Sequence, residues 1–225
     1  VGPITRFNAE TYPSRIAGEF PDFDPHEVFP REVVRRADRF ALMGLAATKL
    51  ALRDAGLPLR FSGSDCDNTC VVVGTSVGAL AHAEETHSLF LEKGAGRISP
   101  FFNSNSIPSS FATQIGMLLG LHGFFSTVTT ACASGTTAVG DAFRLIRDGG
   151  FEMALTGASE APITPLVLAT FSSAGILSTS NENAAAACRP FSKDRNGAVL
   201  AEGSAILVLE ELDYAVKRGA KIYAE

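Results

Sequence analysis

The sequence predicts an α/β fold with a layered, buried sheet, on three observations. Short β-branched or apolar runs alternate with longer segments of helical spacing between residues 38 and 218. Hydrophobic residues make up 46% of the 225, enough for a sizeable core. No internal repeat, low-complexity tract or Pro/Ser-rich linker divides the chain, so residues 1–225 read as one continuous domain.

Residues 38–54 carry Phe40, Met43, Leu45, Leu50 and Ala51 among their apolar positions, with Gly56 and Pro58 as stop signals, and predict a helix. Cys70-Val71-Val72-Val73 predicts a strand ending at Gly74, followed by an Ala/His/Glu-rich helix from about residue 79. A helix over 107–119 places Ile107, Phe111 and Ile115 on one stripe, and residues 126–131 read as a Thr-rich strand. Val139, Ala142, Phe143 and Ile146 recur at the spacing of a core-facing helix. Residues 153–156 and 205–209 are short apolar strands, and residues 210–218 form a last helix with its cations at the end the dipole favours.

Composition narrows function. With 24 acidic against 19 basic residues and a net charge of -5, the chain offers no basic surface for nucleic acid. No apolar run reaches the roughly 18 residues of a membrane span. Cys66, Cys70, Cys132 and Cys188 are irregularly spaced and fit a reducing cytoplasm better than a disulfide framework. Cys66 and Cys70 find no second Cys or His pair, so no metal site is expected, and nothing calls for a cofactor. The chain opens on Val1 and stops as an apolar extended segment begins, which suggests a piece of a longer polypeptide. Residues 98–140 and 161–181 contain no Asp, Glu, Lys or Arg; they read as the interior and walls of an uncharged cavity, or as plain core.

Two strand-to-helix corners present a nucleophile. Gly74-Thr75-Ser76-Val77-Gly78 matches the G-x-S-x-G elbow of serine hydrolases. The acid and then the histidine should follow Ser76, yet His122 is the last histidine, no Asp lies between it and Ser76, and only the early Glu84, Glu85 and Glu92 could serve. At the second corner, Thr129-Thr130-Ala131-Cys132-Ala133-Ser134-Gly135, a strand runs into a helix and would set Cys132 at its N-terminus. Unpaired N–H groups and the positive dipole end favour a thiolate there, and the small neighbours leave room for an acyl carbonyl. Spacing alone leaves both a nucleophile and a small buried core cysteine open.

Val128-Thr129-Thr130-Ala131-Cys132-Ala133-Ser134-Gly135-Thr136, followed by Gly140-Asp141-Ala142-Phe143-Arg144-Leu145-Ile146, resembles the nucleophile region of β-ketoacyl-acyl-carrier-protein synthases. Arg97-Ile98-Ser99-Pro100-Phe101-Phe102, Gly157-Ala158-Ser159-Glu160-Ala161 and Arg189-Pro190-Phe191 with Lys193-Asp194-Arg195 extend the likeness over essentially the whole chain. It is most similar to the elongating synthases of fatty-acid synthesis and their type II polyketide relatives; Ala133 stands where modular synthases typically have Ser. The resemblance implies the N-terminal half of a thiolase-like αβα fold, trimmed at both ends, and a homodimer. It implies an acyltransferase that loads an acyl group on Cys132 and condenses it with malonyl-acyl-carrier protein, with acyl-carrier protein as partner. The family's two catalytic histidines and a nearby lysine would lie beyond Glu225.

By the same resemblance Val77 and Phe171 line the acyl tunnel, and Phe102 reaches into the partner subunit's tunnel. Arg35 and Arg36, within the basic segment Arg31, Arg35, Arg36 and Arg39, would face the carrier protein or simply face water. Gly175 stands where relatives often have a basic carrier contact, and Phe124-Phe125 replaces a Pro-Asn or Pro-Ser pair. The remaining alternatives are a hydrolase built on Ser76 and a non-catalytic interaction module with the same fold.

Overall fold

In the computed structural model, which describes residues 1–225, the chain opens with a short antiparallel ladder of β1 (Gly2–Pro3) and β2 (Ile16–Ala17). Two single-turn helices, α1 (Pro25–Val28) and α2 (Arg31–Val34), precede the long α3 (Arg39–Asp54), and a further turn, α4 (Asp65–Asn68), leads into β3 (Thr69–Gly74). Then come α5 (Leu80–Lys93), α6 (Phe102–Ser106), α7 (Ser110–Leu119), β4 (Phe125–Val128) and α8 (Ser134–Arg147). The remaining elements are β5 (Met153–Glu160), α9 (Pro165–Ser173), β6 (Gly203–Glu210) and α10 (Leu212–Lys217).

Four strands make the central sheet in the order β4-β3-β5-β6. β3 runs parallel to both β4 and β5, and β6 closes the sheet antiparallel to β5. Buried on both faces, β3 is apolar throughout rather than alternating. Val71 and Val73 point into the core that α3 and α7 build from Phe40, Leu45, Leu52, Phe111, Ile115 and Leu119. Cys70 and Val72 point the other way, against Ala138 and Ala142 of α8. The result is three layers, with α3 and α7 on one face and α8 on the other.

Glycines let the layers approach. A Cβ on Gly44 would lie 2.0 Å from the Phe111 ring, so the α3–α7 contact requires glycine there. A Cβ on Gly116 would lie 2.4 Å from the Phe125 ring, which explains Phe125 as the plug between α7 and β4. Phe124 instead lies exposed against Phe151.

Several boundaries differ from the sequence expectations. The strand expected over 126–131 ends at Val128, because Ala131 adopts a φ of 52° and begins a 3-10 turn over Ala131–Ala133. Ile107 lies outside α7, extended and exposed, as a residue before Pro108 should be. Leu50, on the outer side of α3, is 66% exposed. On α8 the buried stripe is Ser134, Ala138 and Ala142, whereas Phe143 is 54% exposed; small residues face the sheet because the helix packs so close to it. β5 and β6 each run to eight residues, so Glu210 belongs to the strand, and the last helix starts at Leu212 with Glu211 capping the Tyr214 N–H.

Candidate active site

The parallel strands β3, β4 and β5 bring their C-terminal ends together, and both sequence-predicted nucleophile corners lie at that edge. After β4 the chain folds into the 3-10 turn and directly into α8. Ser134 ties this corner: its Oγ accepts from the Thr130 N–H at 2.9 Å and donates to the Ala131 carbonyl at 2.6 Å. The corner is also pressed onto the sheet. A Cβ on Gly74 would lie 2.5 Å from the Ser134 carbonyl, and one on Gly135 would lie 3.0 Å from Ala158 Cβ. The positive φ of Ala131 is a strained conformation for a residue with a side chain, and the close-packed frame holds it.

Cys132 is therefore displayed at the N-terminal end of α8, exposed between Ala131 and Ala133, and its sulfur makes no hydrogen bond to a side chain. The other cysteines differ. Cys70 is buried in the sheet, and desolvation pushes its thiol up to about 11. Cys66 is buried in α4, and Cys188 is exposed in a loop.

The Ser76 corner lacks hydrolase chemistry. Ser76 is exposed, and its hydroxyl meets no histidine. His82 packs its ring 5.6 Å from that of Phe102, and His122 pairs with Asp67 at 3.5 Å, near the opposite end of β3. The turn is instead wrapped around a carboxylate that sequence reasoning missed. Glu160, at the end of β5, accepts from the N–H groups of Ser76 at 2.8 Å, Val77 at 3.1 Å and Gly78 at 3.3 Å, and from the Thr75 hydroxyl. The available signal is that Glu160 is the lone charge between residues 153 and 181, at the end of an apolar strand.

Val77 and Phe171 meet on one apolar cluster with Leu168, Leu177 and Leu200. Phe102 stands apart from that cluster, half-buried at the start of α6 against His82 of α5. Arg35 and Arg36 are exposed, hold no carboxylate partner, and place their guanidinium groups 5.9 and 5.4 Å from the centre of the Phe101 ring. Arg39 does not join them: it binds the buried Glu202 carboxylate at 2.8 and 3.0 Å, a site shared with Arg6. Burial pushes the Glu202 carboxyl up, but the hydrogen bonds of Arg39 and the Phe20 N–H and the charges of Arg6 and Arg39 outweigh it, leaving Glu202 below the usual range.

Within residues 98–140, expected as the wall of an uncharged cavity or as plain core, Phe111, Ala112, Ile115 and Leu119 belong to the core, while Thr129–Ala133 are exposed. Two concavities lie away from Cys132, one of about 360 Å³ beside Phe124 and Arg144, the other of about 670 Å³ between Phe20, Phe23 and Leu50. No helix is long and apolar enough to cross a membrane.

Comparison with known proteins agrees with this geometry. Residues 2–215 match the family described as Beta-ketoacyl synthase, N-terminal domain. The chain is 42% identical over 225 residues to 3-oxoacyl-[acyl-carrier-protein] synthase 2 of Synechocystis sp., and spans 54% of that relative's length. Its fold superposes on a beta-ketoacyl synthase from Burkholderia phymatum with a TM-score of 0.81 at 30% identity, covering 95% of this chain and 52% of that one. A type II PKS acyl-carrier protein in complex with its ketosynthase bound to the hexaketide gives 0.74 at 26% identity, covering 91% and 56%. Fold and family match thus define a thiolase-like, layered α/β protein of the ketosynthase class. The chain belongs to the beta-ketoacyl synthase family and corresponds to its N-terminal domain.

Proposed function

We propose that this chain supplies the acyl-accepting part of a 3-oxoacyl-acyl-carrier-protein synthase, with Cys132 as the nucleophile. The observation that carries the reading is the exposed sulfur at the strained turn where β4 meets α8. In the first step the Cys132 thiolate attacks the carbonyl of an acyl thioester. A new carbon–sulfur bond forms to Cys132, the old one breaks, and the carrier sulfur leaves as a thiolate that takes up a proton from water. In the second step malonyl-acyl-carrier protein loses carbon dioxide, and the resulting carbanion attacks the acyl-Cys132 carbonyl, releasing the 3-oxoacyl product and regenerating the Cys132 thiolate.

Acyl-carrier protein is the proposed partner, supported by the solved carrier–ketosynthase complex among the structural relatives and by the unpaired Arg35 and Arg36. Val77 and Phe171, which share one apolar cluster, are proposed to line the acyl path. A homodimer is supported by β4, an edge strand with β3 on one side only, whose free edge a second copy could extend. Phe102 is assigned to the tunnel of that second copy. Four unpaired cysteines accord with a cytoplasmic setting.

The test is to incubate the full-length enzyme carrying this chain with an acyl-carrier-protein thioester and map the acylated peptide by mass spectrometry. Acylation at Cys132, lost in Cys132→Ala, is the expected result. Undiminished acylation in that variant would refute the assignment.

A further inference from the structure

The turn between β3 and α5 carries Val77, yet nothing in the proposed chemistry explains why a carboxylate should sit inside it. Glu160 reaches across from the end of β5, the strand beside β3, where Gly74 pairs with Ala158. Three consecutive backbone N–H groups and one hydroxyl converge on its two oxygens. The Thr75 hydroxyl oxygen also accepts from the Gly78 N–H at 3.2 Å, which closes the turn on itself. Gly78 supplies the positive φ of 60° that lets these N–H groups point the same way.

The turn has few other anchors. Ala79, the capping residue of α5, offers no side-chain acceptor, and the carboxylate anchors the turn just before it through the N–H groups of residues 76–78. Charge-assisted bonds to backbone N–H groups are roughly twice as strong as neutral ones, so removing the charge loosens the turn more than it loosens the sheet. Val77 stands in the middle of the clamped segment and packs against the same apolar cluster as Phe171.

We propose that Glu160 is a positioning residue that sets the acyl-length preference of the enzyme by fixing Val77 in place. This rests on the reading of Val77 and Phe171 as the walls of the acyl path. Glu160 itself touches no reacting atom: it touches the backbone that carries the wall.

The experiment uses the full-length enzyme and compares acetyl with palmitoyl loading of Cys132 in the parent and in Glu160→Gln, Thr75→Val and Val77→Phe. Glutamine keeps the shape but sets an amide NH2 against N–H donors, so the turn shifts and Val77 with it. A displacement of about a methylene's width in an apolar pocket corresponds to about a tenfold change in selectivity, so palmitoyl loading should fall about tenfold relative to acetyl. Thr75→Val, which removes the hydroxyl that donates to Glu160 and accepts from the Gly78 N–H but leaves the three N–H bonds to the carboxylate, should shift the ratio in the same direction by less, and it serves if Glu160→Gln does not fold. In a Val77→Ala background the Glu160→Gln effect on the ratio should vanish, because the side chain it positions is gone. Equal loss of both acyl chains in Glu160→Gln, or an unchanged effect in the Val77→Ala background, overturns the positioning role. If Val77→Phe shifts the ratio and neither Glu160→Gln nor Thr75→Val does, the Glu160 proposal fails while the acyl-path reading stands. If Val77→Phe leaves the ratio unchanged, the acyl-path reading itself fails.

Discussion

Gly74→Ala isolates the contact on which the placement of Cys132 depends. A Cβ there would meet the Ser134 carbonyl carbon and oxygen at 2.5 Å and the Gly135 nitrogen at 2.8 Å. All three are backbone atoms, so no side chain can swing aside. Ordinary contact begins near 3.4 Å, and the start of α8 must retreat from the sheet by about 1 Å to reach it. Overpacking of this kind costs about 1–3 kcal/mol, enough to lower the melting temperature without unfolding a domain of this size. The catalytic effect should be larger, because a displacement of about 1 Å at a reacting atom can cost about 100-fold in rate. The assay is the rate of acyl loading on Cys132 in the full-length enzyme, measured beside Gly116→Ala. That control places a Cβ 2.4 Å from the Phe125 ring, in the α7–β4 contact, and also destabilises by overpacking. Loading should fall about 10- to 100-fold in Gly74→Ala and stay within about twofold of the parent in Gly116→Ala. Equal losses in the two variants, or parental loading in a folded Gly74→Ala, would refute the idea that sheet-to-helix contact sets the nucleophile.

Limiting iodoacetamide should alkylate Cys132 and Cys188 but spare Cys66 and Cys70, which are buried; peptide mapping of modified Cys70 before Cys132 would contradict this. Glu202→Gln leaves Arg39 and Arg6 facing a neutral amide and should cost about 3 kcal/mol in chemical denaturation, since removing one partner of a buried pair exposes the other to an uncompensated site. Because the Glu202 carboxyl is held below its ordinary range, its stabilisation is present at neutral pH and lost as pH falls through that lowered value. The acid-side decline in stability should therefore flatten in Glu202→Gln, and an identical pH profile in parent and variant would rule out this contribution.

The fold was legible where sequence period and burial agree. The run Cys70–Val73 announced a strand buried on both faces, and helix α3 followed its apolar spacing to within one residue. Periodicity misled where two faces of one helix carry similar side chains. On α8 it selected Val139 and Phe143 beside Ala142 and Ile146, whereas close approach to the sheet buries Ala138 with Ala142 and leaves Phe143 exposed. The placement of Cys132 at the start of a helix was legible, because a Thr-rich extended run and a helical period flank its small neighbours. The Glu160 clamp was not, since it joins residues 75–78 to a strand end 82 or more positions away, and only parallel pairing of β3 with β5 brings them together. Arg39 looked like the fourth member of a basic surface, because the sequence gives no sign that Glu202, 163 positions on, turns it inward.

The organisation of the corner bears on which part of the chemistry it can perform. Everything that holds Cys132 in place is backbone or small side chain: the strained Ala131, the Ser134 tie, and the glycines at 74 and 135. Such a frame orients a sulfur and leaves its approach open, which is what accepting an acyl group demands. Decarboxylation is different, because charge builds on the thioester oxygen and needs preorganised donors aimed at that point. His82 is packed against Phe102 and His122 is paired near the far end of β3, so neither is placed for that role. Under the proposed function, donors for that step would have to reach the exposed, uncharged rim of Thr129–Ala133.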